Sequence, residues 1–411
     1  MAIRSTMHRV GGVMLEKLLN CDLGYDGASI DCGRGHRARF IDYRTKEVVT
    51  AVSPVQIQRA YYHCEGCGCG KVPKDEQLGV VDTSFSPGVR RMMGQVGGNE
   101  AFEEGQRDLE SLAGVVVSTK AVERVSEGIG EQLEVLSKEE RQMVLSGKLL
   151  SFEKPSKLYI CADGTGVPMI AKETRGRRGK DSVAGAKTRE VKLGCVFTQT
   201  GCDAQGYPVR DKDSTSYVGA IETAEEFGWR IYAEAVRRGL QAAKQVIFIA
   251  DGAPWIWKIA DEHFPGALQI VDLFHARQHL ANLGKSILVD PIQLKSWTSA
   301  RFKQLDAGNI KGLVHSIEKL QSLQSASIEE IRRTMDYFQT NAHRMRYAKF
   351  RKQGLFVGSG VVEAGCKTII GHRLKQSGMH WTVRGANSII ALRCCQQSGR
   401  WEEFWELRSA G

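Results

Sequence analysis

Leu158-Tyr-Ile-Cys-Ala-Asp163-Gly164 and Val246-Ile-Phe-Ile-Ala-Asp251-Gly252 share one pattern, an apolar run closed by Ala-Asp-Gly. Each run has the length and composition of a buried strand, and the Asp-Gly end predicts that the strand stops there. That leaves a carboxylate at the carboxyl edge of a sheet, where α/β folds keep their sites. A carboxylate in that position is costly to bury unless it is paired, hydrogen-bonded or bound to a cation. One such aspartate is ordinarily a strand-ending turn or a helix cap. Two in the same context point to a site.

Working outward, Leu193–Thr198 and Ala267–Val271 also read as strands. Ala224–Leu240, with Phe227, Ile231, Ala235 and Val236 on one face, reads as a helix. This alternation predicts an α/β core whose first part spans residues 151–284. Strand patterns cease after Leu280, and Ile287–Phe350, with Leu294, Trp297, Leu305, Leu313 and Ile317, reads as several amphipathic helices. They form an all-helical insertion over residues 285–352, ahead of the last part of the core at 353–411. That last part carries Gly358-Ser-Gly-Val-Val-Glu363, in which Ser359 can cap a helix whose first turn holds Glu363. A glutamate there ordinarily just complements the helix dipole. Converging with two aspartates it binds hard divalent cations, and two such ions activate the attacking oxygen and stabilise the leaving one at phosphorus.

Upstream, residues 1–80 read as a helix followed by short strands around two chelating turns, Cys32-Gly-Arg-Gly-His36 and Cys64-Glu-Gly-Cys67. Four such N and S ligands suit a tetrahedral structural Zn²⁺ and a zinc-ribbon-like module; Cys69 can replace one ligand. The alternative is that Cys32 and His36 are ordinary loop residues. Residues 81–150 turn helical, with Gly114 breaking one stretch and Ser118 capping the next, the layout either of a helix-turn-helix or of a plain helical hairpin.

With 57 Lys and Arg against 47 Asp and Glu, the net charge of +10 favours polyanionic partners. Arg175, Arg177, Arg178, Lys180, Lys187 and Arg189 crowd a loop after Asp163, which is either a solvated hairpin or a holder of DNA phosphates. Arg373 and Lys375 form a second basic stretch, with Trp381 available to stack on an exposed base. No apolar run is long enough to span a bilayer, and Met1–Asn20 lacks a secretory apolar core, so no membrane partner and a cytoplasmic, nucleoid-associated location are expected. Eleven scattered cysteines suit metal binding or buried thiols better than disulfides.

Five ordered blocks carry a family resemblance: Ala162-Asp-Gly-Thr-Gly-Val-Pro-Met169, Ala186-Lys-Thr-Arg-Glu-Val-Lys-Leu-Gly194, Ala250-Asp-Gly-Ala-Pro-Trp-Ile-Trp257, Gly358-Ser-Gly-Val-Val-Glu363 and Arg373-Leu-Lys-Gln-Ser-Gly-Met-His-Trp381. They resemble the ISKra-four group of bacterial insertion-sequence DDE transposases, from about Tyr61 onward. The resemblance implies an RNase H-like core whose catalytic acids are Asp163, Asp251 and Glu363, binding two Mg²⁺ or Mn²⁺ ions per active site. It implies metal-dependent cleavage and strand transfer of double-stranded DNA, at terminal inverted repeats and at a target, by a homo-oligomer. Asp272-Leu-Phe-His275 resembles a motif found after the second aspartate in related families; it adds His275 as a candidate catalytic residue that orients an acid or touches a phosphate, or else packs structurally. In the family's N-terminal cysteine pairs a second Cys is expected where His36 stands. Other readings are a catalytically silent DNA-binding relative and an RNase H-like nuclease without strand transfer.

Overall fold

The computed structural model describes residues 2–148, 151, 153–178, 185–320 and 325–409, and the chain divides into two units, Met1–Gly130 and Glu131–Gly411. In the first unit, helix α1 (Ala2–Leu19) precedes strands β1 (Ser29–Asp31), β2 (Arg37–Val49), β3 (Pro54–His63) and β4 (Gly70–Lys71). The four strands pair antiparallel in that order. Val48, Val55 and Ile57 are buried from β2 and β3 with Val80, and Leu15 and Leu19 of α1 pack against them. Helices α2 (Pro73–Gln77), α3 (Pro87–Asn99), α4 (Phe102–Asp108) and α5 (Thr119–Leu145) follow. The capping residues act as their chemistry suggests: Ser86 Oγ accepts from Val89 N and Ser118 Oγ from Ala121 N.

The second unit contains β5 (Lys157–Pro168), α6 (Ala171–Thr174), β6 (Thr188–Gln199), a small ribbon of β7 (Gly201–Cys202) and β8 (Pro208–Val209), and β9 (Ser216–Ala220). Then come α7 (Ala224–Arg237), β10 (Gln245–Ala250), α8 (Pro254–His263), β11 (Leu268–Val271) and α9 (Leu273–Ile287). Four helices, α10 (Pro291–Asp306), α11 (Ile310–Glu318), α12 (Ser325–Thr340) and α13 (Tyr347–Lys352), make up the expected helical stretch. The chain finishes with α14 (Gly360–Gly365), α15 (His372–Leu374), α16 (Val383–Gln397) and α17 (Trp401–Ser409).

The fold is mixed α/β, on a five-stranded sheet of order β11-β10-β5-β6-β9. Strands β5, β10 and β11 run parallel, while β6 and β9 are antiparallel to their neighbours. Continuous apolar runs form its centre because both faces are covered. A methyl group on Gly194 of β6 would lie 2.5 Å from Ile231 Cδ1 of α7, and one on Gly365 of α14 would lie 3.1 Å from Leu193 Cδ2. Adjacent strand residues point to opposite faces, so α7 covers one side of the sheet and α14 the other. Strand β9 has no sequence signal of its own, because Ser216-Tyr-Val-Gly-Ala220 is short and neither alternating nor uniformly apolar.

One strand end departs from expectation. β5 does not stop at Asp163-Gly164 but continues to Pro168, because β6 goes on pairing with it from Asp163↔Leu193 to Pro168↔Thr188 after β10 has ended. Gly164 is therefore a strand residue, and its missing side chain makes room for Glu190, whose Oε1 would lie 2.6 Å from an added methyl. β10 does end at Ala250, and Gly252 takes the turn at φ +109, a backbone conformation that L side chains rarely adopt. Among the described residues no helix is long and apolar enough to cross a membrane.

The tight seat of α7 predicts that Gly194→Val lowers stability by about 1–3 kcal/mol through overpacking. Gly128→Ala, in α5 with nothing within 4 Å of the added methyl, is expected to stabilise by about 0.5–1 kcal/mol through helix propensity. Denaturant melts of the two variants check both signs.

Candidate active site and metal centre

Strand register places the acids. Ile249 of β10 pairs with Cys161 of β5, and Ala250 pairs with Val271 of β11. Two residues past Cys161 and Ile249, and one past Val271, stand Asp163, Asp251 and Asp272, so three aspartates share one row across three neighbouring parallel strands. Parallel neighbours lie roughly 5 Å apart. Asp163 faces the side covered by α14, since it pairs with Leu193, which meets Gly365. That short helix carries Glu363 and leads into Cys366.

Burial pushes the Asp163 carboxyl above the usual carboxylate range; the charges of Asp251 and Glu363 push the same way, against the Gly164 N–H and the Cys366 thiol. Burial, with the Asp163 charge beside it, keeps that thiol protonated. Asp163 Oδ1 accepts from Gly164 N at 2.7 Å, and Asp251 Oδ1 from Ala253 N at 2.9 Å. Among the described residues no lysine or arginine forms a salt bridge with Asp163, Asp251 or Glu363. A group of acids in which two raise the proton affinity of the third, with no cationic side-chain partner, suits a cation from solution.

Asp272 is different. It is fully buried and caps α9, accepting from His275 N at 2.6 Å, from Ser359 Oγ at 2.8 Å and from Ser359 N. The Ser359 oxygen also lies 3.0 Å from Glu363 Oε1. Ser359 precedes α14 as the sequence suggests, but its hydroxyl caps no backbone N–H, because the buried carboxylate of Asp272 engages it instead. A chain Asp272–Ser359–Glu363 thus ties the third strand end to the helix bearing the glutamate. Sequence reading passed over Ser359 as a ligand of Asp272; the Asp-x2-His block was the available signal.

His275 is half-buried near the start of α9, its Nε2 3.2 Å from Nε2 of His279. His279 stacks on Tyr337 of α12 with centroids 4.2 Å apart, and the Tyr337 hydroxyl donates to the Asp251 carbonyl at 3.2 Å. Burial, followed by His275, lowers the His279 pKa, so this imidazole is neutral at pH 7. The helical insertion therefore reaches the site through Tyr337.

Of the basic residues, Arg175, Arg177, Arg178 and Lys187 are exposed and Arg189 is half-buried. Burial and then Arg177 lower the Arg189 pKa, which places two of these cations side by side. Lys180 lies outside the described residues. Lys375 is exposed, with Nζ 2.5 Å from Thr165 Oγ1, two residues along β5 from Asp163. Two expectations fail. Arg373 is wholly buried with its guanidinium 5.2 Å from the Trp381 ring, and Trp381 is 8% exposed with Nε1 donating to the Leu374 carbonyl at 3.0 Å. Trp381 knits the C-terminal segment to β5, where its N bonds the Pro168 carbonyl, and Arg373 packs against its ring. A DNA base could reach neither.

The first unit holds a separate cluster. The sulfurs of Cys32, Cys64, Cys67 and Cys69 all lie within 4.8 Å of one another. Cys69, not His36, completes the set; the His36 ring lies over Gly66, 3.2 Å from where a methyl would sit. The Cys64–Cys69 turn closes through Cys64 N to Cys69 O and Gly68 N to Cys64 O, with Gly68 at φ +66. Burial works against ionisation of Cys32, but N–H groups from Arg34 and His36 and the neighbouring thiols outweigh it and bring its pKa to about 7. Four convergent sulfurs with one readily ionised suit a tetrahedral metal such as zinc. Among the described residues no second group of three or more such side chains is drawn together in this way.

The sequence profile of the family described as "Uncharacterised protein family (UPF0236)" matches residues 2–406. The chain belongs to the UPF0236 family. Within it, the protein described as "UPF0236 protein in vanSb 3'region" from Streptococcus gallolyticus is 24% identical over 344 residues, covering 81% of this chain and 69% of that relative. The family profile takes in both the cysteine cluster and the acidic row of this UPF0236 chain.

Metal analysis after dialysis is expected to find zinc retained by wild type and by His36→Ala but lost from Cys69→Ser. For Asp163 the raised pKa fixes a sign: the folded state holds the proton more tightly, so stability falls as pH rises from the unfolded value through the folded one. At neutral pH, without divalent ions, Asp163→Asn is expected to melt higher than wild type by about 2 °C or more. Calorimetry in chelator gives the comparison.

Proposed function

We propose that this protein is a DNA transposase of the DDE type, of the ISKra-four group, with an RNase H-like core. The observation that carries the reading is the register that sets Asp163 and Asp251 level on adjacent parallel strands, with Glu363 presented to them from α14. A sheet with an antiparallel half and a parallel half, interrupted by helices before its last acid, supports the same reading. So do the net charge of +10 and the exposed cations after β5.

In this reading Asp163, Asp251 and Glu363 hold two Mg²⁺ or Mn²⁺ ions, which supply Lewis acidity to the attacking and leaving oxygens. Asp163 and Asp251 are held by backbone at a rigid sheet edge, and Ser359, secured by Asp272, orients Glu363. Arg177, Arg189 and Lys375 bear on the phosphates. Water attacks phosphorus at the element end, the P–O3′ bond breaks, and a 3′-hydroxyl is left on the element strand. That hydroxyl then attacks a target phosphorus, forming one phosphodiester and releasing the target 3′-oxygen, so no external energy source is needed.

Asp163→Asn, Asp251→Asn and Glu363→Gln are each expected to cut cleavage of terminal-repeat duplex in Mg²⁺ by about a thousandfold while leaving DNA affinity intact. Ser359→Ala is expected to lose about 10- to 100-fold, as for groups that orient metal ligands. Wild-type cleavage by folded, DNA-bound triad variants would sink the proposal. Joined products, resolved on a sequencing gel, separate a transposase from a nuclease.

A further inference from the structure

At the amino ends of β10 and β11, the sheet edge opposite Asp251, a cavity of about 630 Å³ opens between Gln245, Val246, Leu268 and the segment around α13. Its wall carries Lys244, Arg346 and Lys349, the imidazoles of His263 and His343, and the rings of Tyr232, Phe264 and Phe350, but no carboxylate. All three cations are exposed, and none has a carboxylate partner among the described residues. Elsewhere in this unit some arginines are matched, as Arg230 is by Glu134 and Glu222 and Arg400 by Glu140 and Glu403. Burial and then Arg344 and Arg346 lower the His343 pKa against the charge of Asp261, a sign that positive charge prevails there. Like charges gathered round one concavity whose wall carries no carboxylate favour an anion from outside.

We infer that this cavity is a phosphate-binding site, distinct from the acidic row, which holds the backbone of a nucleic acid away from the reacting bond. The nucleic-acid source rests on the transposase reading; the phosphate chemistry does not. The test compares wild type, Arg346→Glu/Lys349→Glu, and Lys295→Glu/Lys303→Glu, an equal charge change on exposed lysines of α10. Two probes are used: a fluorescent DNA duplex titrated across a salt series, and pyrophosphate followed by thermal shift.

The cavity variant is expected to bind duplex about tenfold or more weaker than the α10 control, with a salt slope shallower by about 2. If duplex binding matches the control but pyrophosphate stabilises wild type and the control and not the cavity variant, the site holds and its ligand is a free phosphate compound. If the cavity variant matches the control with both probes, the inference is overturned. Wild type that never cleaves DNA, yet shows either probe effect, would remove the transposase reading and leave this site standing.

Discussion

In-register pairing of β11, β10 and β5 is the constraint on which the rest of the second unit depends. Hydrogen bonds between these strands bring Asp163, Asp251 and Asp272 level with one another, although 88 residues separate the first pair and 21 the second. At strand spacing, two carboxylates repel by about 3 kcal/mol for an effective dielectric near 20. A single hydrogen bond to a charged group contributes about 1.5–3 kcal/mol, so backbone amides alone do not offset a row of three charges. The fold resolves this unequally. Asp272 is satisfied by three hydrogen bonds and becomes structure; Asp251 keeps one, Asp163 keeps the Gly164 N–H and the Cys366 thiol, and both face the side where Glu363 arrives.

That division explains the local architecture around Glu363. Its helix has only six residues and little intrinsic stability. Position comes from its ends. Ser359 is pinned to Asp272, and Gly365 lets the helix lie against β6 and β9, where a methyl would approach Tyr217 Cε1 to 2.6 Å. Trp381, farther along, locks the following segment to the end of β5, and Arg373 packs against its ring. Residues that look from the sequence like a basic, aromatic DNA-binding stretch instead hold the platform for the glutamate, and Lys375 alone among them is left exposed beside it.

The cysteine cluster poses the same problem in softer chemistry. Three sulfurs come from one turn, Cys64 to Cys69, and the fourth from the loop between β1 and β2, which antiparallel pairing carries back across the sheet. His36 occupies the sequence position a fourth ligand would take by spacing, but its ring packs over Gly66, and Cys69 is already within 3.1 Å of Cys67. Sequence spacing counts residues along the chain; a metal site counts sulfurs in space.

The sequence by itself determined the elements with strong period: the four apolar strands, the α7 face of Phe227, Ile231 and Ala235, the helices after residue 287, and the Ser118 cap of α5. It also marked Asp163 and Asp251, because an acid at the end of an apolar run is conspicuous against its cost of burial. Tertiary structure decided what depended on partners distant in the chain. β5 outlasts its Asp-Gly because β6 continues to pair with it, and Ser359 gives up its capping role because Asp272 reaches it from another strand. Arg373 and Trp381 are buried because the segment folds back onto β5. Local pattern records which groups a residue can satisfy, and only the folded chain selects among them.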